Sequence, residues 1–412
     1  MPETPQFTSP AGNASTFGRP GGPRDTRPTL LFYCQHSLGI GHLTRSFALV
    51  QALAAHFRVV FLNGGPLPPG LPVPEDMERI DLPPLGMDDG HTVVSRSSTD
   101  VVLARARRRA LIETAVRVTR PAVLLVELFP FGRKKFVGEI VPMIRQAREQ
   151  PGGRALVVCS LRDLLVDARP DQAHHDDRAR WMADRWFDAV LVHADPAFAR
   201  LEDSFRPHQP LRTRVVYTGF VQPQRAPVAS AAPGRHLLVS AGGGLVGEPL
   251  FQAAIAARAH WPDAPPMRIV AGPFLPDAAW QALQGHDGVE AVRQVPDMVA
   301  EMRLARASLS QCGYNTAMDL LAAGVPALVA PYETATENEQ RQRAARLAAL
   351  GALQCLPPGD TTPTALARAL QALWHFTPQP AALNLDGARR SADWLAARAV
   401  SRDAGTTTRR VA

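Results

Sequence analysis

Apolar residues fall along this chain in two alternating patterns. Short unbroken runs rich in Val, Leu and Ala read as buried strands. Stretches with apolar residues every three or four positions read as amphipathic helices. In the first half the strand-like runs are 29–34, 58–63, 123–127, 155–160, 189–193 and 215–218. After the first, Leu43, Phe47, Val50, Leu53, Ala54 and Phe57 share one helical face, and 137–148 predicts another helix. The alternation breaks at 222–234, a Pro- and Ala-rich stretch without period that predicts a linker. It restarts with runs at 236–241, 268–272, 307–311, 327–330 and 353–356, and with helices near 248–260, 315–323, 337–350 and 364–374. This order predicts an α/β fold of two doubly wound, Rossmann-like domains, 29–221 and 235–402. Ligands in such domains sit at the carboxyl ends of the strands and in the cleft between the two. Segment 64–100, with seven prolines, predicts a long loop with one short strand near 79–82. The ends, 1–28 and 403–412, read as tails, and the first lacks the apolar core of a signal peptide.

Composition narrows the function classes. A chain of 412 residues suits two domains, and 46% hydrophobic with 20% charged residues is a globular balance. There is no apolar run long enough to cross a bilayer. Cys34, Cys159, Cys312 and Cys355 are scattered without CxxC or His pairing, which predicts neither a disulfide framework nor a zinc site. A cytoplasmic protein, at most peripheral to a membrane, is the expectation. The net charge is +7, yet Lys134 and Lys135 are the only lysines and arginine is spread throughout. That dispersion argues against nucleic acid. The densest basic run, Arg105, Arg107, Arg108 and Arg109, reads either as a solvated helix face or as a contact for anionic lipid or a phosphorylated acceptor.

Four segments carry candidate chemistry. Gln35–Arg45 follows a strand and opens a helix, with Gly39 and Gly41 giving a ligand access to backbone N–H groups. It is not a GxGxxG dinucleotide turn, because His42 follows Gly41 and Asn63 rather than an acid ends the next strand. His42 and His36 are the imidazoles here, and either could serve as general base; backbone hydrogen bonding in the turn is the plainer role for His36. Gly242, Gly243 and Gly244 follow the first strand of the second domain, where a phosphate could approach the backbone or a tight turn could need them. In the segment 310–326 a strand ends at Gly313, Asn315 or Thr316 caps a helix, and Gly324 and Pro326 end it. The free N–H groups at this helix start suit a diphosphate, and Asp319 one turn on could accept from ribose hydroxyls, although an ordinary capped helix needs no ligand. The last segment, 331–340, offers polar side chains to sugar hydroxyls or simply an acidic helix start.

The last two segments resemble the C-terminal domain of GT-B glycosyltransferases related to the UDP-N-acetylglucosamine transferase of lipid II synthesis. The matching residues are Gly313, Asp319, Ala322-Ala323-Gly324-Val325-Pro326, Pro331-Tyr332 and Glu339-Gln340. Gly39-Ile40-Gly41-His42 is similar to that family's N-terminal Gly-Gly-His turn, with Ile40 before the second glycine, and 240–244 to its Gly-rich loop. The run 127–133 also resembles a signature of bacterial predicted glycosyltransferases. The resemblance implies a GT-B fold and transfer of a sugar from a nucleotide-diphosphate donor, a UDP-sugar favoured, to an acceptor hydroxyl or amine. It implies no cofactor beyond the donor as co-substrate and no metal. Asp319, an Asp where the family has Glu, would bind ribose. Glu339 and Gln340 would face the donor sugar, Gly242–Gly244 with Asn315 and Thr316 would hold the diphosphate, and His42 would serve the acceptor. A nucleotide-sugar hydrolase or 2-epimerase, or a non-catalytic nucleotide-sugar binder, are the alternatives on the same fold.

Overall fold

A computed structural model describes residues 25–407, apart from 37–40, 69, 89–91, 98–99, 152–153, 168, 224–233 and 336. Gly39, residues 1–24 and 408–412 of the expected tails, and most of the expected linker lie outside the described residues.

The first block of the chain runs β1 (Thr29–Cys34), α1 (Gly41–Leu53), β2 (Arg58–Asn63), β3 (Met77–Asp81), β4 (Leu85–Met87), β5 (Val93–Ser95), α2 (Val101–Thr119), β6 (Val123–Glu127), α3 (Val137–Glu149), β7 (Leu156–Arg162), α4 (Gln172–Trp186), β8 (Ala189–His193) and β9 (Arg214–Tyr217). The second runs β10 (Leu237–Ser240), α5 (Glu248–Ala257), β11 (Met267–Val270), α6 (Asp277–Gln281), β12 (Val289–Val292), α7 (Met298–Leu304), β13 (Ala307–Ser310), α8 (Tyr314–Ala323), β14 (Ala327–Val329), α9 (Glu339–Ala349), β15 (Gln354–Cys355), α10 (Pro363–Leu373) and α11 (Gly387–Thr407).

Each block builds a parallel sheet, ordered β3-β2-β1-β6-β7-β8-β9 in the first and β12-β11-β10-β13-β14-β15 in the second. Helices cover both faces, so strands such as β6 and β8 are buried at every position and read as continuous apolar runs. In each sheet the order reverses beside the first strand, between β1 and β6 and between β10 and β13. Loops leaving the carboxyl ends of those strands part there and open a crevice. The topology therefore singles out the turns after β1, β6, β10 and β13.

Several expectations are corrected. Segment 64–100 holds β3, the one short strand expected near 79–82, and also the antiparallel β4–β5 hairpin, which was not expected. The two hairpin strands are three residues each, so no periodicity betrays them. The second domain does not extend to 402. α11 returns to the first domain, where Ala388, Ala392, Leu395 and Ala399 share a core with Leu43, Phe47, Leu53 and Phe61. It also runs to Thr407, into the expected tail. The basic run on α2 is not uniformly solvated. Arg108 is fully buried, where it donates to both Glu139 oxygens, to Gln35 Oε1 and to the carbonyls of Gly64 and Pro83. Its guanidinium thus belongs to the core, because α2 turns that position inward, and only its neighbours face outward. Among the described residues no helix is long and apolar enough to cross a membrane.

The domains meet along a polar seam built by α9. Arg343 forms a bidentate pair with Asp163 at 2.7 and 2.8 Å, and both side chains are 0% exposed. Burial would raise the Asp163 carboxyl, but Arg343 outweighs it and holds it below its ordinary value. Arg343 also donates to Cys312 O. Along the same helix, Glu339 pairs with Arg162, Gln342 donates to Asp167, which also accepts from Asn338 just ahead of the helix, and Arg346 pairs with Asp203. The spacing of 339, 342, 343 and 346 places these groups on one helical face. Asp163→Ala strands a buried guanidinium and is expected to cost about 3–5 kcal/mol. Replacing both partners by apolar residues is expected to cost far less. Urea unfolding of the single and double variants checks this; equal loss in both would mean the pair is not what the seam rests on.

Candidate active site at the interdomain cleft

The turn after β1 and the end of β6 meet at the first switch point. His42 is the second residue of α1, and Glu127 is the last residue of β6. His42 Nδ1 lies 2.6 Å from Glu127 Oε1. Arg45, one helical turn after His42, donates from Nη2 to the same oxygen at 2.6 Å. Arg133 Nε approaches the other oxygen, Oε2, at 3.8 Å. Glu127 and Arg45 are buried while the His42 and Arg133 side chains keep 19% and 16% exposure, so those two are the members of the group that a ligand can reach.

The charges divide unequally. Burial alone would raise the Glu127 carboxyl, but His42, Arg133 and Arg45 around it hold it down at about 2. Burial pushes the His42 imidazole down to about 4, against the pull of Glu127. At neutral pH the carboxylate is ionised and the imidazole neutral. His42 Nδ1–H then donates to Glu127, which leaves Nε2 as the basic nitrogen. His36, the other candidate imidazole, is 3% exposed and bonds Asn63 Oδ1 through Nε2 at 3.0 Å. Burial lowers it too.

Across the cleft, α8 opens at Gly313, the N-cap, which has no side-chain capping bond. The expectation that Asn315 or Thr316 caps this helix is corrected. Asn315 instead reaches over the cleft and donates from Nδ2 to Gly41 O at 3.1 Å. The first turns of α1 and α8 therefore face each other, and both present helix N-termini to the same space. A Cβ at Gly313 or Gly242 would meet no atom within 4 Å, so the backbone there borders open room. Gly244 differs. Its φ is +88°, and a Cβ would lie 2.2 Å from Ala271 O, so close packing against the turn after β11 already requires glycine. Gly243 lies between the two, half-buried. Asp319 and Thr316 are half-buried on α8.

The pair at the start of α9 is already engaged. Glu339 sits 3.3 Å from Arg162 across the seam. Gln340 Oε1 accepts from Cys312 N and Tyr332 N, which ties the turn after β13 to the turn after β14. Tyr314 is a second bridge: its hydroxyl donates to His193 O and accepts from Val221 N, and its ring packs near Phe220. The structure thus brings His42, Gly41, Gly313 and Asn315 to one place, with Glu339 and Gln340 on the next helix and His36 behind the turn. Sequence reasoning gave no role to Glu127 or Arg45, and offered Arg133, with Lys134 and Lys135, only as a partner for an acceptor phosphate or as a solvated basic helix start. One signal was present: Glu127 is the lone charge closing an otherwise apolar strand, at the carboxyl end where ligands bind.

Residues 275–393 match the family model for the glycosyltransferase family 28 C-terminal domain. The fold is GT-B. The UDP-N-acetylglucosamine–N-acetylmuramyl-(pentapeptide) pyrophosphoryl-undecaprenol N-acetylglucosamine transferase of Methylibium petroleiphilum is 35% identical over 95 residues, 23% of this chain and 26% of that protein. The chain thus spans about a quarter of the length of the curated relatives it matches. Solved structures cover nearly all of it. MurG of Acinetobacter baumannii superposes with a TM-score of 0.54 at 14% identity, over 90% of this chain and 99% of that one. UGT2 of Phytolacca americana, complexed with UDP-2fluoro-glucose and pterostilbene, superposes with a TM-score of 0.55 at 17% identity, over 92% and 94%.

The imidazoles lowered furthest, His42 and His193, set a pH dependence of stability. His193, buried between Ser160 Oγ and Thr218 Oγ1, is pushed by burial down to about 3. The unfolded chain binds these protons near pH 6.5, whereas the folded chain resists until about 4 for His42 and about 3 for His193. Their contribution to stability is therefore complete above pH 6.5 and declines as pH falls, by up to about 3 kcal/mol for His42 and about 5 kcal/mol for His193. His193→Gln is expected to flatten part of that decline in urea titrations between pH 7 and 4. An unchanged slope would show that His193 titrates alike folded and unfolded.

Proposed function

We propose that the chain is a glycosyltransferase that moves a sugar from a nucleotide-diphosphate donor, a UDP-sugar favoured, to an acceptor hydroxyl or amine. The observation that carries this reading is the His42–Glu127 pair standing opposite the open N-terminus of α8, in a cleft where Asn315 reaches Gly41. His42 Nε2 would take the proton of the acceptor as its oxygen or nitrogen bonds to the anomeric carbon. The bond from that carbon to the diphosphate oxygen breaks, and its electron pair leaves with the diphosphate. Glu127 would steady the imidazolium that forms, as a carboxylate does in other histidine-based catalysts.

The leaving diphosphate would be met by N–H groups at the start of α8 and at Gly242 and Gly243, so charge stabilisation needs no metal. Asp319, one turn inside α8, would accept from the ribose hydroxyls. Glu339 and Gln340 would address the donor sugar. Because Gln340 Oε1 is committed to two backbone N–H groups, its amide nitrogen is the part left for a sugar hydroxyl. Support for a uridine donor comes from the name of the Methylibium relative and from the UDP-sugar analogue in the Phytolacca structure. Membrane contact through the outward arginines of α2, Arg105, Arg107 and Arg109, remains part of the proposal without Arg108.

A thermal-shift panel of UDP, dTDP, GDP and ADP is expected to single out UDP. Asp319→Ala is expected to weaken that shift, and His42→Ala to lower kcat/KM by about 10²–10⁴ with donor binding retained. Turnover at the wild-type rate in both variants would overturn the reading. Stoichiometric nucleotide release, or epimerisation of the donor sugar, without any acceptor would assign a hydrolase or a 2-epimerase instead.

A further inference from the structure

Glu127 Oε1 is shared. His42 and Arg45 both donate to that one atom at 2.6 Å, and Arg45 Nη2 stands 3.5 Å from His42 Nδ1. The other oxygen, Oε2, accepts no hydrogen bond and faces Arg133 at 3.8 Å. The charged groups facing His42 are thus Glu127 from β6, Arg133 from the turn after it, and Arg45 from its own helix. Two cations surround one buried carboxylate. An imidazole beside a lone buried carboxylate tends to protonate and rest as an ion pair, unable to accept a proton. Here the carboxylate's charge is already met by guanidinium, and a third cation would crowd Arg45.

Arg45 also reaches the other domain. Its guanidinium lies 5.4 Å from the centroid of the Tyr314 ring, and Arg343 lies 5.9 Å from the same ring. Tyr314 is the first residue of α8 and bridges His193 O and Val221 N. Arg45 is 3% exposed, so this contact is made inside the closed interface.

We propose that Arg45 is a positioning residue: by sharing Glu127 Oε1 with His42 it holds the carboxylate against the imidazole's Nδ1–H and meets part of its charge, and through the Tyr314 ring it ties that arrangement to the first turn of α8. The proposal rests on reading His42 as the base, but its test needs no turnover. Burial is the first cause of the neutral imidazole, and Arg45 shares with Arg133 the task of meeting the carboxylate's charge; the hydrogen bond alone cannot perform it.

The test is an NMR titration of the His42 ring in the full chain, assigned against His42→Ala, for wild type, Arg45→Lys, Arg45→Gln and Arg45→Met. The wild-type midpoint is expected near 4. Loss of the cation in Arg45→Gln and Arg45→Met is expected to raise it, while burial and Arg133 still hold it below the ordinary 6.5. Arg45→Lys is expected to stay close to wild type. Arg45→Gln keeps a polar side chain on Glu127 and so serves if Arg45→Met does not fold. The acid limb of kcat/KM is expected to move up with the NMR midpoint, whereas a merely structural arginine would scale the whole profile without moving the limb. A folded Arg45→Gln whose His42 midpoint equals that of wild type would overturn the proposal. Failure of UDP to bind, with the midpoint shifted as expected, would overturn the transferase reading and leave the role of Arg45 standing.

Discussion

A fully buried carboxylate at the end of a central strand is the constraint around which this site is arranged. Glu127 closes β6 at the switch point of its sheet, where no water can solvate it. An ionised carboxylate in that position is tolerable only with positive or hydrogen-bonding partners. The partners come from two directions, His42 and Arg45 from the first turns of α1 and Arg133 from the turn after β6. Meeting the demand of one charge therefore fixes the orientation of the imidazole, the start of α1 and the path of the chain through 128–133. Leu128 and Arg133 hold left-handed backbone in that turn, with φ of 64° and 58°. Such conformations persist where the surroundings demand them.

The second organising element is the seam. In many two-domain proteins the interface is modest and the domains move freely. Here α9 sends four polar side chains from one face into the opposing domain, with a buried ion pair at the centre. Tyr314 adds a hydroxyl that bonds backbone at two points of the first domain, and its ring is near both Arg45 and Arg343. α11 then returns to pack on α1. The start of α9, which carries Glu339 and Gln340, and the start of α8 are thereby held at a set distance from His42. A donor bound by the second domain would meet an acceptor bound by the first without a search through many domain orientations, which is the advantage of preorganisation.

Much of the fold was legible in the order of residues. Parallel strands buried on both faces must be apolar throughout, and the helices between them must carry one apolar stripe, so the alternation of runs and stripes predicts two doubly wound sheets. β3 was expected near 79–82, but β4, β5 and β12 were not legible, because they are short and partly exposed and so carry no strong pattern. The end of the second domain was misplaced, since a stripe of Ala and Leu on α11 states that the helix packs but not on what. In the site, the glycine turns and His42 stood out because local conformation and residue chemistry are written in the local sequence. The cap of α8 did not: Asn315 carries a capping side chain, but the bond it makes lies 274 positions away.

The sequence by itself determined the kind of sheet, the turns at its carboxyl ends and the residue types gathered there, because periodicity, glycine and capping act over a few neighbouring residues. Only the tertiary structure decided which of two histidines joins a buried carboxylate, that Arg45 and Arg133 share that carboxylate, that Arg108 is core rather than surface, and that α9 locks the domains together. Those outcomes depend on charges and hydrogen bonds between residues tens to hundreds of positions apart. Whether such groups meet is set by the packing of the sheets, and no local pattern along the chain records it.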